Sequence, residues 1–251
     1  LSGLMSITGT EAGEPVRVGT SITDIVTWLY TTIGILAALY RRAQVNVGAR
    51  LDVAMLDATV STLENAVVRA QQSGKPPGPL GTRHPSITPF ESFATRDEPI
   101  IISAGNDKLF AALCRVLGAP ELSEDERFVG NLQRTQNHRA LRDIITRVLK
   151  TDTRAHWLRK MSEANIPCAP VNSVQDLFNS PQIEARNMLV PVDGEADFKV
   201  AGNPVKFIGE PDTLQKEKSP DLGEHNALIL TDILGYSSED VDRLYEQGVI
   251  S

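Results

Sequence analysis

Ile100-Ile-Ile-Ser-Ala-Gly-Asn-Asp-Lys-Leu-Phe-Ala-Ala-Leu-Cys-Arg-Val-Leu-Gly118 carries two structural periods in succession. Ile100 to Ser103 is a short β-branched run that reads as a strand. From Asp107 to Leu117 the apolar residues fall at helical spacing, and Gly118 supplies the stop. Strand followed by helix is the grammar of an α/β protein. On the C-terminal side the spacing predicts helices at about 137–149 and 154–165, the second with Thr151 or Thr153 as N-cap and with Trp157, Leu158 and Met161 on one side. Met188 to Ile208 alternates short apolar groups with Gly and Pro, which predicts a hairpin or crossing strands. A last helix starts at Ser237, whose Ser237-x-x-Asp240 spacing is a capping pattern, with Val241, Leu244 and Tyr245 as its buried stripe.

On the N-terminal side, Gly74-Lys-Pro-Pro-Gly-Pro79 cannot continue a helix and is the best linker. Before it, a short strand from Leu51 feeds a helix through Val53, Leu56, Val60, Leu63 and Val67. Further back, a helix runs from Ser21 to about Arg42, apolar on most of its circumference. Its apolar stretch, Ile25 to Tyr40, is broken by three threonines and falls short of the roughly 20 residues a membrane span needs, so it reads as a buried core helix. Residues 1–20 are glycine-punctuated loops.

Composition narrows the classes of function. With 41% hydrophobic and 23% charged residues the chain is an ordinary globular sequence, and 5% aromatic offers no stacking platform for single-stranded nucleic acid. A net charge of −7 argues against a broad polyanion-binding surface, so neither nucleic acid nor a membrane is an expected partner. Cys114 and Cys168 form no CxxC, which signals neither a disulfide framework nor zinc and fits a reducing, cytoplasmic compartment. The chain begins at Leu1 without an initiator Met or a signal peptide, and reads as a fragment.

Asp24 is the first candidate for chemistry. Ser21-x-x-Asp24 is a capping-box spacing, which places Asp24 at the third helical position, where a carboxylate interacts favourably with unpaired N–H groups. By spacing alone that structural role leads. The two roles are compatible, because the same field keeps a carboxylate ionised, and an ionised carboxylate is a nucleophile toward an activated acyl group.

Leu1-Ser-Gly-Leu-Met-Ser-Ile-Thr-Gly9, Pro15-Val-Arg-Val-Gly19, Asp24 with Ile33-Gly-Ile-Leu-Ala-Ala-Leu39, Asp52-Val-Ala-Met-Leu-Asp57, Gly81-Thr-Arg-His-Pro85, Ala104-Gly-Asn106, Ile166-Pro-Cys-Ala-Pro-Val-Asn172 and Leu222-Gly-Glu-His225 occur in this order. In order and spacing they resemble the middle and C-terminal part of class III CoA-transferases, of the formyl-CoA transferase and carnitine CoA-transferase type. The resemblance implies an α/β fold with a Rossmann-like large domain, incomplete here, and a smaller α/β domain, in an interlocked homodimer. Residues 1–75 would belong to the large domain, 76–202 to the linker and small domain, and 203–251 to the return into the large domain.

It also implies that Asp24 takes an acyl group from CoA, forming an acyl-aspartyl anhydride and then an aspartyl-CoA thioester. The intact protein would then move CoA from an acyl-CoA to a small carboxylic acid, with coenzyme A as substrate and no cofactor or metal. By the same resemblance Gly81-Thr-Arg-His84 is either a lid over the reacting centre or part of a plain linker. Arg41, Arg42, Arg50 and Arg83 are candidates for the CoA phosphates, although Arg41 and Arg42 fit better as a solvated helix C-terminus. The expected substrate-binding set is therefore Gly81, Arg83, His84 and Arg50. Asn106, Asn172 and Glu224-His225 read as turn or capping residues, and His138 and His156 as helix-surface positions. The family's usual Thr-Gly-x-Gly-Gln turn is replaced here by Val45-Asn-Val-Gly48-Ala49.

Two alternatives stay open. An α-methylacyl-CoA racemase shares the fold and the matching aspartate but pairs it with an upstream histidine, and Ile25-Val-Thr27 stands where such racemases tend to have glycines. The other is an inactive fragment that keeps only a dimerisation scaffold.

Overall fold

The computed structural model describes residues 1–11, 13–211 and 217–250 and divides the chain into two units, Leu1–Val171 and Asn172–Ser251. The first contains α1 (Ile22–Val45), α2 (Met55–Ser61), α3 (Asn65–Ser73), β1 (Phe90–Phe93), β2 (Ile100–Ser103), α4 (Asp107–Val116), α5 (Asn131–Gln136), α6 (His138–Leu149), α7 (Arg154–Glu163) and β3 (Cys168–Pro170). The second contains α8 (Pro181–Ala185), β4 (Leu189–Val192), β5 (Glu195–Ala201), α9 (Asn226–Leu228), which runs into a π turn, and α10 (Ser238–Glu246).

The strand and helix expected at 100–118 both form, and they organise the core of the first unit. β2 lies between β1 and β3 in an antiparallel sheet, with Phe93 opposite Ile100 and Ile102 opposite Cys168. Period-two alternation buries Ile100 and Ile102 on one face, where Phe110, Leu113 and Cys114 of α4, Leu141, Ile145 and Leu149 of α6, and Trp157 and Met161 of α7 join them. Each fully buried side chain of this size contributes about 1.5–3 kcal/mol. Trp157 Nε1 donates to Leu149 O at 2.7 Å, tying α7 to the end of α6. Asn106 Oδ1 caps α4 by accepting from Leu109 N at 2.8 Å, and Thr153, not Thr151, caps α7. Gly118 stops α4 in the left-handed region, with φ +73°.

Asp97 fastens the β1–β2 connection to the start of α7. Its carboxylate accepts from Arg154 N at 2.7 Å, Thr95 Oγ1 at 2.8 Å and Glu98 N at 2.8 Å. These bonds, the one from Arg154 foremost, hold its pKa down to about 2. A depressed carboxylate pKa stabilises the fold above the unfolded-state value of about 4. That contribution is lost as the pH falls from there through about 2. Asp97→Asn is therefore expected to lower the melting temperature near neutral pH, and the gap to the unsubstituted protein should close at about pH 2; thermal melts at both ends check it.

Several expectations need correction. α1 forms as a 24-residue helix but buries none of its residues. Trp28 is 66% and Tyr40 73% exposed. α2 packs on α1, with Ser61 Oγ donating to Tyr30 Oη at 3.0 Å, but what the described residues place against this helix leaves all of its apolar circumference at least partly exposed. By length and composition α1 would also pass as a membrane span, a test that core helices of soluble proteins pass equally. Residues 51–54 form no strand, since they pair with no other segment among the described residues, and the periodic run after them splits into α2 and α3 at Glu64, whose φ is +46°. His138 is not on the surface: it is 5% exposed and paired with Glu91.

In the second unit the expected hairpin forms from β4 and β5, with Leu189 opposite Ala201. Ser237 caps α10, with Asp240 N donating to its Oγ at 3.2 Å. Val241 is buried, whereas Tyr245 of the expected stripe is exposed. Glu224 serves a turn, its Oε2 accepting from Asp221 N at 2.6 Å.

Candidate active site

Asp24 opens onto a pocket of about 630 Å³ at the start of α1, lined by residues 1–6, by Pro15, Arg17 and Val18, and by residues 20–24. Its walls are built locally. Residues 4–7 make a 3-10 turn, Ser6 Oγ donates to Gly3 O at 2.7 Å, and Thr8 Oγ1 donates to Leu4 O at 2.8 Å. Val16 N then donates to Thr8 O at 2.9 Å, which folds the chain back and brings Pro15 to Val18 beside the first turn.

The capping box expected at Ser21 does not form. Ser21 has ψ 58° and its side chain makes no cap bond. Among the described residues, the side-chain caps that do form, at Asn106, Thr153, Ser180 and Ser237, all have an extended backbone, with ψ of 156°, 157°, 116° and 156°. Only that extended geometry turns the side-chain oxygen toward the N–H groups of the first turn. The N-terminus of α1 is thus left without a side-chain cap beside an exposed Asp24 carboxylate that has no hydrogen bond or ion pair with any described residue. A negatively charged group is favoured there by the helix dipole, and the carboxylate oxygens are free to meet a ligand.

The other expected residues lie outside this pocket. Gly81, at φ +63°, donates its N–H to Gly9 O at 3.0 Å, so the segment that walls the pocket also touches the 81–84 turn. Arg83 approaches Glu11 at 3.8 Å, and its Nε is buried with no hydrogen-bond partner among the described residues. His84 Nδ1 accepts from Ser86 N at 3.2 Å and Ile87 N at 3.1 Å, while its ring stacks on Phe90. Asn131 bonds both Ser86 O and Thr88 N, at 2.7 and 2.9 Å. These are the contacts of an anchored turn. Arg50 is exposed in the connection between α1 and α2. Burial pushes the Cys114 thiol up to about 11 and also raises Cys168, which leaves neither a thiolate nucleophile near neutral pH.

Three features escaped the sequence reading. Arg17 shares the pocket with Asp24, and the only signal for it was its place in the Pro15–Gly19 block. Glu91 is buried on β1, with His138 Nε2 at 2.6 Å and an ion pair to Arg142. Arg134 is fully buried on α5.

A family model described as CoA-transferase family III matches residues 1–226. An acetyl-CoA:oxalate CoA-transferase of Acetobacter aceti is 40% identical over 91% of this chain, and a succinate–glutarate CoA-transferase of Agrobacterium fabrum is 36% identical over 93%. The chain spans 58% of the length of each of these relatives. A CaiB/BaiF family protein from Brucella suis superposes with TM-score 0.76 at 34% identity, covering 92% of this chain and 60% of that one. Fold and sequence therefore agree, and the chain belongs to CoA-transferase family III.

Proposed function

We propose that the intact protein transfers CoA from an acyl-CoA to a short dicarboxylic acid, with Asp24 as the covalent nucleophile. The observation that carries this reading is the Asp24 carboxylate, without a partner among the described residues, on an open pocket at a helix start that lacks a side-chain cap. Family membership supports the reaction class, and relatives named for oxalate, succinate and glutarate support the class of acid.

An Asp24 oxygen attacks the thioester carbonyl carbon, the C–S bond breaks, and CoA leaves as the thiolate, giving an acyl-aspartyl anhydride. The thiolate attacks the Asp24 carbonyl and releases the first acid as its carboxylate. The carboxylate of the second acid then attacks this aspartyl thioester, expelling the thiolate and forming a second anhydride. Attack of the thiolate on the new acyl carbonyl yields the product thioester and restores the Asp24 carboxylate. Each step is an intramolecular or bound-state substitution at an acyl carbon, which replaces one difficult exchange with easier ones. The same proposal carries the cytoplasmic homodimer, the division at residues 1–75, 76–202 and 203–251, and a contribution of Gly81, Arg83, His84 and Arg50 to CoA binding.

Hydroxylamine added to the intact protein during turnover with acetyl-CoA should convert Asp24, and no other aspartate, to its hydroxamate, read by peptide mass spectrometry. An unmodified Asp24 during sustained turnover counts against the covalent route.

A further inference from the structure

We propose that Arg17 determines substrate specificity in the Asp24 pocket, its guanidinium holding the carboxylate of a dicarboxylic acid that does not react. The assignment rests on the CoA-transfer reading of the same pocket and adds the group that recognises the acid.

Of the described residues lining the pocket, Arg17 is the only lysine or arginine. The walls around it include Leu4, Met5, Val18 and Ile22, and a run of hydroxyls from Thr20, Ser21 and Thr23. The backbone beneath it is fixed by the Val16 N to Thr8 O bond, while the side chain is exposed and makes no hydrogen bond or ion pair with a described residue, Asp24 included. A guanidinium pairs with a carboxylate through two parallel N–H bonds. One that shares a pocket with a carboxylate yet does not pair with it leaves that carboxylate free to react and keeps its own donors for a ligand.

Two anions are on offer in CoA transfer, a phosphate of CoA and a carboxylate of the acid. The phosphates are separated from the thioester by the whole pantetheine arm. A residue in the pocket of the nucleophile therefore meets the acyl end of the donor and the incoming acid. Of the acid's two carboxylates, the reacting one loses its charge on becoming an anhydride. A cation bound to it would hold the ground state back and blunt its nucleophilicity. The second carboxylate keeps its charge through every step, so a contact to it survives in each intermediate.

The test is carried out on the intact protein, with acetyl-CoA as donor and either succinate or butyrate as acceptor, two acids of equal chain length that differ in the second carboxylate. In Arg17→Gln the ratio of kcat/KM for succinate to that for butyrate should fall about ten- to a hundredfold, the range for a charge-assisted hydrogen bond. Arg17→Lys should recover part of the ratio. An unchanged ratio, or an equal loss with both acids, overturns the assignment, as does a rise confined to KM for acetyl-CoA, which would make Arg17 a phosphate contact. Trapping of Asp24 with hydroxylamine separates the two levels of inference. Trapped Asp24 with an unchanged ratio removes Arg17 alone, whereas failure to trap it in the unsubstituted protein removes the reading beneath.

Discussion

Asp24→Ala in the intact protein is expected to cut CoA transfer by about ten-thousandfold or more, the scale seen when other covalent nucleophiles are removed. That corresponds to roughly 5.5 kcal/mol of lost transition-state stabilisation. The structure separates this outcome from a folding defect, because the Asp24 side chain is exposed and bonds to no described residue. Its fixed role in the fold is limited to the field at the start of α1, worth about 0.3–1 kcal/mol. Turnover should therefore collapse while the melting curve barely moves. If Asp24 were only a capping carboxylate, the signs would reverse, with a small loss of stability and near-normal turnover in the folded fraction. Asp24→Asn keeps the shape but not the nucleophile and should behave like Ala. Asp24→Glu keeps the charge on a longer arm and should lose about a hundredfold through misplacement. An alanine variant with more than a few per cent of the activity would end the nucleophile assignment.

Asp24 also shows how far spacing alone reaches. Ser21-x-x-Asp24 and Ser237-x-x-Asp240 are the same pattern, yet only the second closes as a cap, because the backbone at Ser21 turns away from the extended geometry that Ser237 adopts. The open cap, not the pattern, is what frees the carboxylate, and the pattern does not encode it. The resemblance in residues 1–24 picked out Asp24; neither that block nor composition gave Arg17 a role.

The legible parts of the fold are those whose partners lie close in sequence or share a simple period. β2, α4, α6 and α7 are of this kind, each with one apolar side turned to a common core. β1 was not legible. Phe90-Glu-Ser-Phe93 places an acid at a position that is in fact 2% exposed, which composition marks as outward. What makes that burial tolerable is His138 and Arg142, on a helix that sequence reading places far away. α1 was legible as a helix but not in its burial, since the amphipathic signal tells what a helix needs covered and says nothing of where the cover comes from.

The largest expected effect on stability lies at Arg134, whose side chain is completely buried. Its Nε donates to Thr88 O at 2.8 Å, one terminal nitrogen to Phe128 O at 3.0 Å, and the other to Gly105 O at 2.8 Å and Asp107 Oδ1 at 2.9 Å. The guanidinium also lies over the Phe110 ring at 4.5 Å. Three separate stretches, the loop before β1, the turn before α4 and the segment before α5, are thus joined by one planar fork. Arg134→Ala would leave three carbonyls short of a donor and a cavity beside Phe110, at a cost of about 3–5 kcal/mol. For a chain of this size that is a melting-temperature drop on the order of 10 °C. Asp107→Ala tests where the energy lies. The Asp107 side chain is 74% exposed, so its ion pair with Arg134 is worth under about 1 kcal/mol. If the carbonyls carry the interaction, Asp107→Ala should shift the melt only slightly and Arg134→Lys should recover little, because one ammonium does not span three divergent acceptors. Equal losses for Arg134→Ala and Asp107→Ala would show instead that the charge pair dominates. Since Thr88 also anchors the turn that holds His84 and Arg83, the same variant should loosen residues 81–88 first, seen as faster amide exchange there than in α6.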